Sequence, residues 1–191
     1  MATLVIGLGN PGGEYASTRH NAGWGCLDVL ERRGRFARER REGPARVRDG
    51  AIEGFDIVLA RPHTFMNESG RAGHHLTRRL GVDPRDVVVV HDDLDLPFGR
   101  LRVRRNGGAG GQKGVLSLAD SWRTQDFLRV RIGIGRPPEG DDAITHVLGR
   151  WTPEERLRLP AVLERAADAV VSLIRRGLDA AMAEYNRVAD V

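Results

Sequence analysis

Residues 3–24, TLVIGLGNPGGEYASTRHNAGW, form the stretch that decides the fold. Thr3–Leu8 is a short β-branched and aliphatic run next to glycine, which predicts a buried first strand. Ala22–Arg33 carries apolar residues at helical spacing and is followed by Gly34, which predicts a helix. A strand, a glycine-rich loop and a helix in this order are typical of the opening unit of an α/β domain.

The loop between these elements carries Gly7, Gly9 and Gly12 at the spacing of a dinucleotide-binding fingerprint. That fingerprint requires a helix to open at the third glycine, so that the helix dipole meets the pyrophosphate. Here residues 13–21 lack a helical apolar stripe, and the predicted helix begins only at Ala22. A nicotinamide-dependent oxidoreductase is therefore disfavoured, and we interpret the glycines as shaping a turn.

The composition is that of one globular domain. The 191 residues suffice for a substantial core, and 29% charged and 40% hydrophobic residues are ordinary proportions. A net charge of +4 permits a phosphate-rich partner. The lone Cys26 argues against a disulfide framework, and no signal peptide or membrane-length apolar run is apparent. We expect a cytoplasmic protein without membrane association.

Further strands are predicted from short aliphatic or alternating runs. Val87–Val90 is an uninterrupted valine run, which favours a central strand covered on both faces. The highly charged stretch 35–49 is expected to face solvent. The remaining predicted strands are residues 52–60 (one strand or two), Leu101–Arg105 and Arg129–Ile134.

Two helices are predicted in the middle of the chain. Asn67 can cap a helix over residues 68–80, with Gly81 as its left-handed stop. Residues 106–114 are expected to form a loop that leads into a short helix over 115–122.

The C-terminal part, from about residue 152, is predicted to be helical. Thr152 and Glu155 can form a capping box, and Pro160 is expected to start or kink a second helix that ends near Gly177. Alternating strands and helices predict the α/β class. More specifically, we expect residues 1–191 to form a single three-layer α/β/α domain with a mixed, mostly parallel twisted sheet.

Polar residues follow three of the predicted strands. Asn10 and His20 follow the first strand, Asn67 follows residues 52–60, and Asp92 follows the valine run. Ligands gather at the carboxyl ends of strands in open α/β sheets, so these side chains can share one crevice. An imidazole backed by a carboxylate is a general base, and asparagine amides can donate to a developing oxyanion. The residues therefore predict a hydrolase without metal in which His20 and Asp92 form the pair.

Other interpretations of the same residues stay open at this point. His20 can be structural, Asn10 can shape a turn before Pro11, and Asn67 can serve only as a helix cap. Asp92, Asp93 and Asp95 can form a solvated turn or bind magnesium. Because no serine or cysteine lies in a nucleophile-elbow pattern, the base is expected to act on water.

Four motifs resemble the bacterial peptidyl-tRNA hydrolase family, in the same order and over nearly the whole chain. They are VIGLGNPGGEYASTRHNAGW (5–24), PHTFMNESG (62–70), VVVHDDLDLPFGRLRV (88–103) and LRVRIGIGRP (128–137). The resemblance implies a monomeric α/β enzyme, without a cofactor, that cleaves the ester between a peptide and tRNA after premature release from the ribosome. The alternative is a non-catalytic RNA-binding relative of the same fold.

The resemblance also implies roles for individual residues. His20 is expected to be the general base on water, Asp92 its orienting carboxylate, and Asn10 a contact close to the scissile ester. Asn67 resembles the family's substrate-positioning asparagine.

The remaining implied roles concern the tRNA. Tyr15 and Phe65 match positions that contact the tRNA or its 3′ end. Arg104 and Arg131 fall where the family has basic residues that grip the tRNA 5′-phosphate, for which guanidinium groups are well suited.

One motif departs from the family pattern. The family usually has a Gly-Gly-His-Asn-Gly loop, whereas residues 110–114 read GGQKG. Lys113, the only lysine in the chain, thus replaces a neutral amide. It is expected either to contact a phosphate or the peptide carbonyl, or to point to solvent in a variable loop.

Overall fold

The fold is built on one mixed sheet of eight strands. A computed structural model describes residues 1–187. The strand order is β2-β4-β5-β1-β6-β8-β7, and β3 pairs with β4. The strands are β1 (Thr3–Gly7), β2 (Arg35–Phe36), β3 (Arg40–Glu42), β4 (Ala45–Ile52), β5 (Phe55–Pro62), β6 (Val88–Asp93), β7 (Leu101–Arg105) and β8 (Leu128–Gly133).

Helices cover both faces of this sheet, so that the domain has three layers. Two apolar cores result: α1, α5 and α6 pack on one face of the sheet, and α2 and α3 pack on the other. No helix within residues 1–187 is long and apolar enough to span a membrane. The helices are α1 (Ala22–Arg33), α2 (Ser69–Leu80), α3 (Lys113–Trp122), α4 (Ala143–Val147), α5 (Pro153–Arg176) and α6 (Leu178–Tyr185).

The centre of the sheet is parallel and its margins are antiparallel. β1 pairs in parallel with β5 and β6, and β6 pairs in parallel with β8. The pairs β4–β5 and β7–β8 are antiparallel. The α/β class and the mixed sheet are therefore confirmed. Because the central strands point the same way, the loops that follow β1, β5 and β6 meet at one edge of the sheet.

The glycines of the opening stretch allow α1 to pack closely on the sheet. A Cβ at Gly7 would lie 2.7 Å from the Gly23 carbonyl oxygen, and one at Gly23 would lie 2.4 Å from the Val90 carbonyl oxygen. A Cβ at Gly9 would meet the Trp24 ring at 2.8 Å. The absence of side chains at these glycines therefore allows α1 to lie close to β1 and β6.

The charged stretch 35–49 is only partly solvent-facing. Residues 35–43 are mostly exposed, as expected, but Ala45 and Val47 are buried in β4. The expectation was wrong for residues 45–49. These residues form part of a strand with one buried face, and the arginines on its other face gave the segment the composition of a solvent-exposed stretch.

Two helix boundaries also differ from expectation. Asn67 does not cap α2: it lies in a short 3₁₀ turn, Met66–Glu68, and the N-cap position is Glu68. Helix α3 begins at Lys113, two residues before the expected start, because the Gln112 side chain caps it. The left-handed stop at Gly81 is confirmed, with φ of 65°.

Helix α5 continues through Pro160, so that no second helix begins there. The capping box of Thr152 and Glu155 is confirmed. Proline has no backbone N–H, so Pro160 cannot donate the helical hydrogen bond to the Arg156 carbonyl oxygen. Because this part of the helix is exposed, water can bind that oxygen instead. Packing of α5 against the sheet therefore outweighs the local cost of proline.

Candidate active site

His20 and Asp92 form a buried hydrogen-bonded pair. His20 lies in the 3₁₀ turn before α1, and Asp92 lies near the end of β6. His20 Nδ1 is 2.8 Å from Asp92 Oδ2, and the two residues are 8% and 2% exposed. An ionised carboxylate only accepts hydrogen bonds, so Nδ1 is the donor and the lone pair of the neutral ring is on Nε2. The pair therefore presents a proton acceptor, Nε2, for use as a general base.

The second oxygen of the Asp92 carboxylate also has a side-chain donor. Gln112 Nε2 donates to Asp92 Oδ1 at 2.9 Å, and Gln112 Oε1 accepts from the Val115 backbone N–H at 2.9 Å. Gln112 is 7% exposed. The sequence identified Gln112 only as a departure from a family motif, with no signal for this contact.

Asn10 is held so that its amide nitrogen is left for the site. Its Oδ1 accepts from the Met66 backbone N–H at 2.7 Å. The Asn10 backbone N–H donates to Asn21 Oδ1 at 2.9 Å, and the Asn10 carbonyl oxygen accepts from Asn21 Nδ2 at 3.0 Å. Because Oδ1 is engaged, Nδ2 is the Asn10 atom that can donate to a ligand. The sequence analysis missed Asn21, although it lies next to His20.

These residues line one cleft of about 330 Å³. Its polar part contains Asn10, His20, Asp92 and Gln112, with Asn67 and Lys113 also lining it. Asn67 and Lys113 are both exposed. The apolar residues along the cleft are Tyr15, Phe65, Met66, Leu94, Ala143, Ile144, Val147 and Leu148. Seven of the expected site residues thus meet here, whereas Arg104 and Arg131 lie outside the cleft lining.

Helix α4, which the sequence analysis did not predict, supplies much of the apolar wall. Arg19 Nη1 donates to the His146 carbonyl oxygen in α4 at 3.3 Å, and Arg19 Nη2 donates to Glu155 Oε2 at 2.8 Å. Since Arg19 precedes His20, the turn that carries the proposed base also anchors this wall. Arg19 is only 7% exposed, so removal of Glu155 would leave a buried charge without its partner and would destabilise the fold.

The acidic residues near the cleft are paired with protein groups. Asp93 Oδ2 accepts from Arg131 Nε at 2.5 Å, and Asp95 Oδ1 accepts from Arg136 Nη2 at 2.5 Å. Asp92 is bound as described above. Across the described part of the chain, no cluster of three or more His, Cys, Asp or Glu side chains is placed to hold a metal ion.

A basic strip lies beside the cleft on β7 and β8. Arg102 is paired in register with Arg131, and Arg104 with Arg129. Burial, followed by the charges of Arg104 and Arg131, lowers the pKa of Arg129 to about 10. Burial and the neighbouring Arg131 and Arg102 also lower the pKa of Arg104. This mutual repulsion favours binding of an anion. The strip meets the cleft through Asp93, which lines the cleft and pairs with Arg131.

The fold and the site are those of an α/β protein with a buried histidine–carboxylate pair in a cleft beyond its parallel strands, an arrangement suited to an enzyme that uses a general base. A model of the peptidyl-tRNA hydrolase family matches residues 4–190. The chain belongs to this family.

Curated relatives and solved structures agree with that assignment. The chain is 47% identical over 187 residues to a peptidyl-tRNA hydrolase of Mycobacterium tuberculosis, covering 97% of this chain and 96% of the relative. It is 47% identical over 180 residues to that of Nocardia farcinica, covering 93% of each. A crystal structure of the Acinetobacter baumannii peptidyl-tRNA hydrolase superposes with a TM-score of 0.87 at 32% identity, covering 97% of this chain and 94% of that one.

Proposed function

We propose that the protein hydrolyses the ester bond between a peptide, or another N-blocked aminoacyl group, and tRNA. This activity recycles tRNA from peptidyl-tRNA that leaves the ribosome prematurely. The observation that carries the proposal is the 2.8 Å contact between His20 and Asp92 at the cleft, in a chain of the peptidyl-tRNA hydrolase family. His20 acts as the general base on water, and Asp92 orients it.

The reaction follows from the atoms that line the cleft. His20 Nε2 takes a proton from water while the hydroxide attacks the ester carbonyl, and Asp92 stabilises the imidazolium. Asn10 Nδ2 donates to the oxygen that becomes negative. When the ester bond breaks, the ribose oxygen of the tRNA takes the proton from the imidazolium, and the peptide leaves as a carboxylic acid that loses its remaining proton to solvent.

The rest of the cleft is suited to the two halves of the substrate. The apolar wall can contact the peptide, and Asn67 positions the substrate. Phe65 is 58% exposed, so its ring is available to stack on a base of the tRNA 3′ end, with Tyr15 beside the same cleft. Lys113 contacts a phosphate or the peptide carbonyl.

The basic strip beside the cleft is suited to the tRNA 5′-phosphate. Arg131 is oriented by Asp93 and largely buried. Arg104 makes no ion pair with a carboxylate among residues 1–187 and is only partly buried. We assign Arg104 to direct phosphate contact, with Arg131 beside it, because guanidinium groups bind phosphate in a bidentate manner.

We further propose that the chain acts as a cytoplasmic monomer in a single domain. Its substrate arises at the ribosome, and Cys26 is a free, buried thiol, in keeping with a reducing compartment. The residues proposed to carry out the reaction, Asn10, His20 and Asp92, come together within a single chain, which supports the proposal of a monomer.

The test is release of an N-acetylated amino acid from tRNA. Wild type should release it, and His20→Ala should lose about 10²- to 10⁴-fold in kcat, the usual contribution of a general base. His74→Ala, the same change at an exposed histidine of α2 that lies outside the cleft and the four motifs, is the matched control and should match wild type. No release by wild type would reject the enzyme and favour the non-catalytic RNA-binding alternative, which predicts tRNA binding without turnover. Equal release by wild type and His20→Ala would reject His20 as the base.

A further inference from the structure

We infer that Gln112 is a positioning residue for the catalytic carboxylate. Its side chain bridges Asp92 and the first turn of α3 and fixes the plane of the Asp92 carboxyl group, so that Oδ2 faces His20. This inference rests on the proposed function, because it concerns how the same pair is held for catalysis.

The hydrogen bonds of Gln112 define its orientation. The backbone N–H of Val115 can only donate, so the Gln112 atom that faces it must be Oε1. The ionised Asp92 carboxylate can only accept, so the atom that faces it must be Nε2. The amide is therefore held at both ends, and reversing it would break two hydrogen bonds inside the fold.

The contact also has consequences for the charge of the site. Asp92 is 2% exposed, so its carboxylate has little stabilisation from water. Each oxygen has one side-chain donor, His20 on Oδ2 and Gln112 on Oδ1. An amide stabilises the carboxylate without a charge of its own and without a titration near neutral pH. Gln112 therefore supports Asp92 and does not compete with His20 for protons.

A purely structural role as the cap of α3 is the competing explanation, and Gln112→Glu separates the two. The substitution keeps an oxygen for the Val115 N–H, and a negative charge at a helix N-terminus is favourable. It replaces the donor to Asp92 by a second acceptor, which repels the carboxylate. A role limited to capping predicts unchanged activity, whereas the positioning role predicts a loss.

We expect Gln112→Glu to lower kcat about 10- to 100-fold at neutral pH, the usual range for losing a hydrogen bond to a charged group. KM should change less than about threefold, because Gln112 acts through Asp92. The ratio of mutant to wild-type kcat should rise as the pH falls, because two adjacent carboxyl groups can share a proton and so restore a donor. Gln125→Glu, the same change at an exposed glutamine away from Asp92, should leave kcat unchanged.

A second variant keeps the inference testable if Gln112→Glu folds poorly. The neutral imidazole in Gln112→His has one donor and one acceptor, like the amide, and should retain most of kcat. Equal losses in Gln112→His and Gln112→Glu would overturn the inference, as would unchanged kcat in a folded Gln112→Glu or an effect on KM alone.

An NMR measurement distinguishes failure of this inference from failure of the proposed function. The proton on His20 Nδ1 should shift in Gln112→Glu and not in Gln125→Glu, whether or not the protein turns over peptidyl-tRNA. An unmoved signal overturns the inference, whereas absence of hydrolysis by wild type rejects only the proposed function.

Discussion

Asn10 offers a test in which activity and stability are expected to separate. Its Oδ1 accepts from the Met66 backbone N–H at 2.7 Å, while Nδ2 is left to donate into the cleft. Asn10→Asp keeps an oxygen for Met66 and removes the donor. Asn10→Ala removes both functions. The two substitutions therefore distinguish the part of the side chain that holds the loop from the part proposed to bind the oxyanion.

The magnitudes follow from these contacts. Loss of one donor to a developing oxyanion costs about 10²- to 10³-fold in kcat, which we expect for both variants. In Asn10→Ala the buried Met66 N–H also loses its partner, which should destabilise the fold by about 1–3 kcal/mol. For a chain of this length, each kcal/mol lowers Tm by about 2–4 °C. Asn10→Asp should lie closer to wild type in stability, because its second oxygen faces the cleft.

The assay combines steady-state release of N-acetyl amino acid from tRNA with urea and thermal unfolding. Asn186→Asp is the matched control. Asn186 donates from Nδ2 to the Val103 carbonyl oxygen at 2.9 Å and accepts from the Val103 N–H at 2.6 Å, away from the cleft. The control should lose stability and keep kcat, the reverse of the pattern for Asn10→Asp. Wild-type kcat in Asn10→Asp, or wild-type stability in Asn10→Ala, would refute the assigned amide orientation.

Three further outcomes are expected. Lys113→Ala should raise KM more than it lowers kcat, with partial retention in Lys113→Arg, and unchanged constants would leave Lys113 without a substrate contact. Arg104→Ala should raise KM and reduce the slope of log KM against log salt concentration by about one, since one phosphate contact is lost; an unchanged slope would contradict the contact. Burial lowers the pKa of His91 below its usual 6.5, so the unfolded chain binds its proton first and stability falls as the pH drops below that value. His91→Gln should flatten this dependence in urea unfolding between pH 5 and 8, and a parallel curve would contradict it.

The sequence was sufficient to predict which polar residues converge. Asn10, His20 and Asp92 meet because β1 and β6 are adjacent and parallel, and the valine run around residues 87–90 is recognisable as a central strand. The glycine spacing was misleading only in isolation. Glycines at this spacing bind a dinucleotide only when a helix begins at the third glycine. The apolar pattern of the sequence already indicated that the helix begins later, at Ala22.

Other features could not be read from local patterns. Helix α4 has five residues and none of them is buried, so that no apolar stripe marks it. Its position depends on Arg19, which is distant in sequence. Asn67 satisfies the cap rule, but a 3₁₀ turn intervenes before α2 and leaves the side chain beside the cleft. Each feature depends on a contact between distant segments: α4 accepts a hydrogen bond from Arg19, and the turn at Asn67 is held by the bond from the Met66 N–H to Asn10 Oδ1.

The substituted pair Gln112 and Lys113 shows why motif comparison alone does not assign roles. The two positions are adjacent in sequence, yet one side chain is buried against Asp92 and the other is exposed at the cleft. The start of α3 between them is the physical cause. An N-cap side chain folds back towards the N–H groups of the first turn, whereas the next residue is already helical and directs its side chain away. We therefore expect the change at Gln112 to act through Asp92 on kcat, and the change at Lys113 to act on substrate binding. The kcat and KM effects of their variants should separate accordingly.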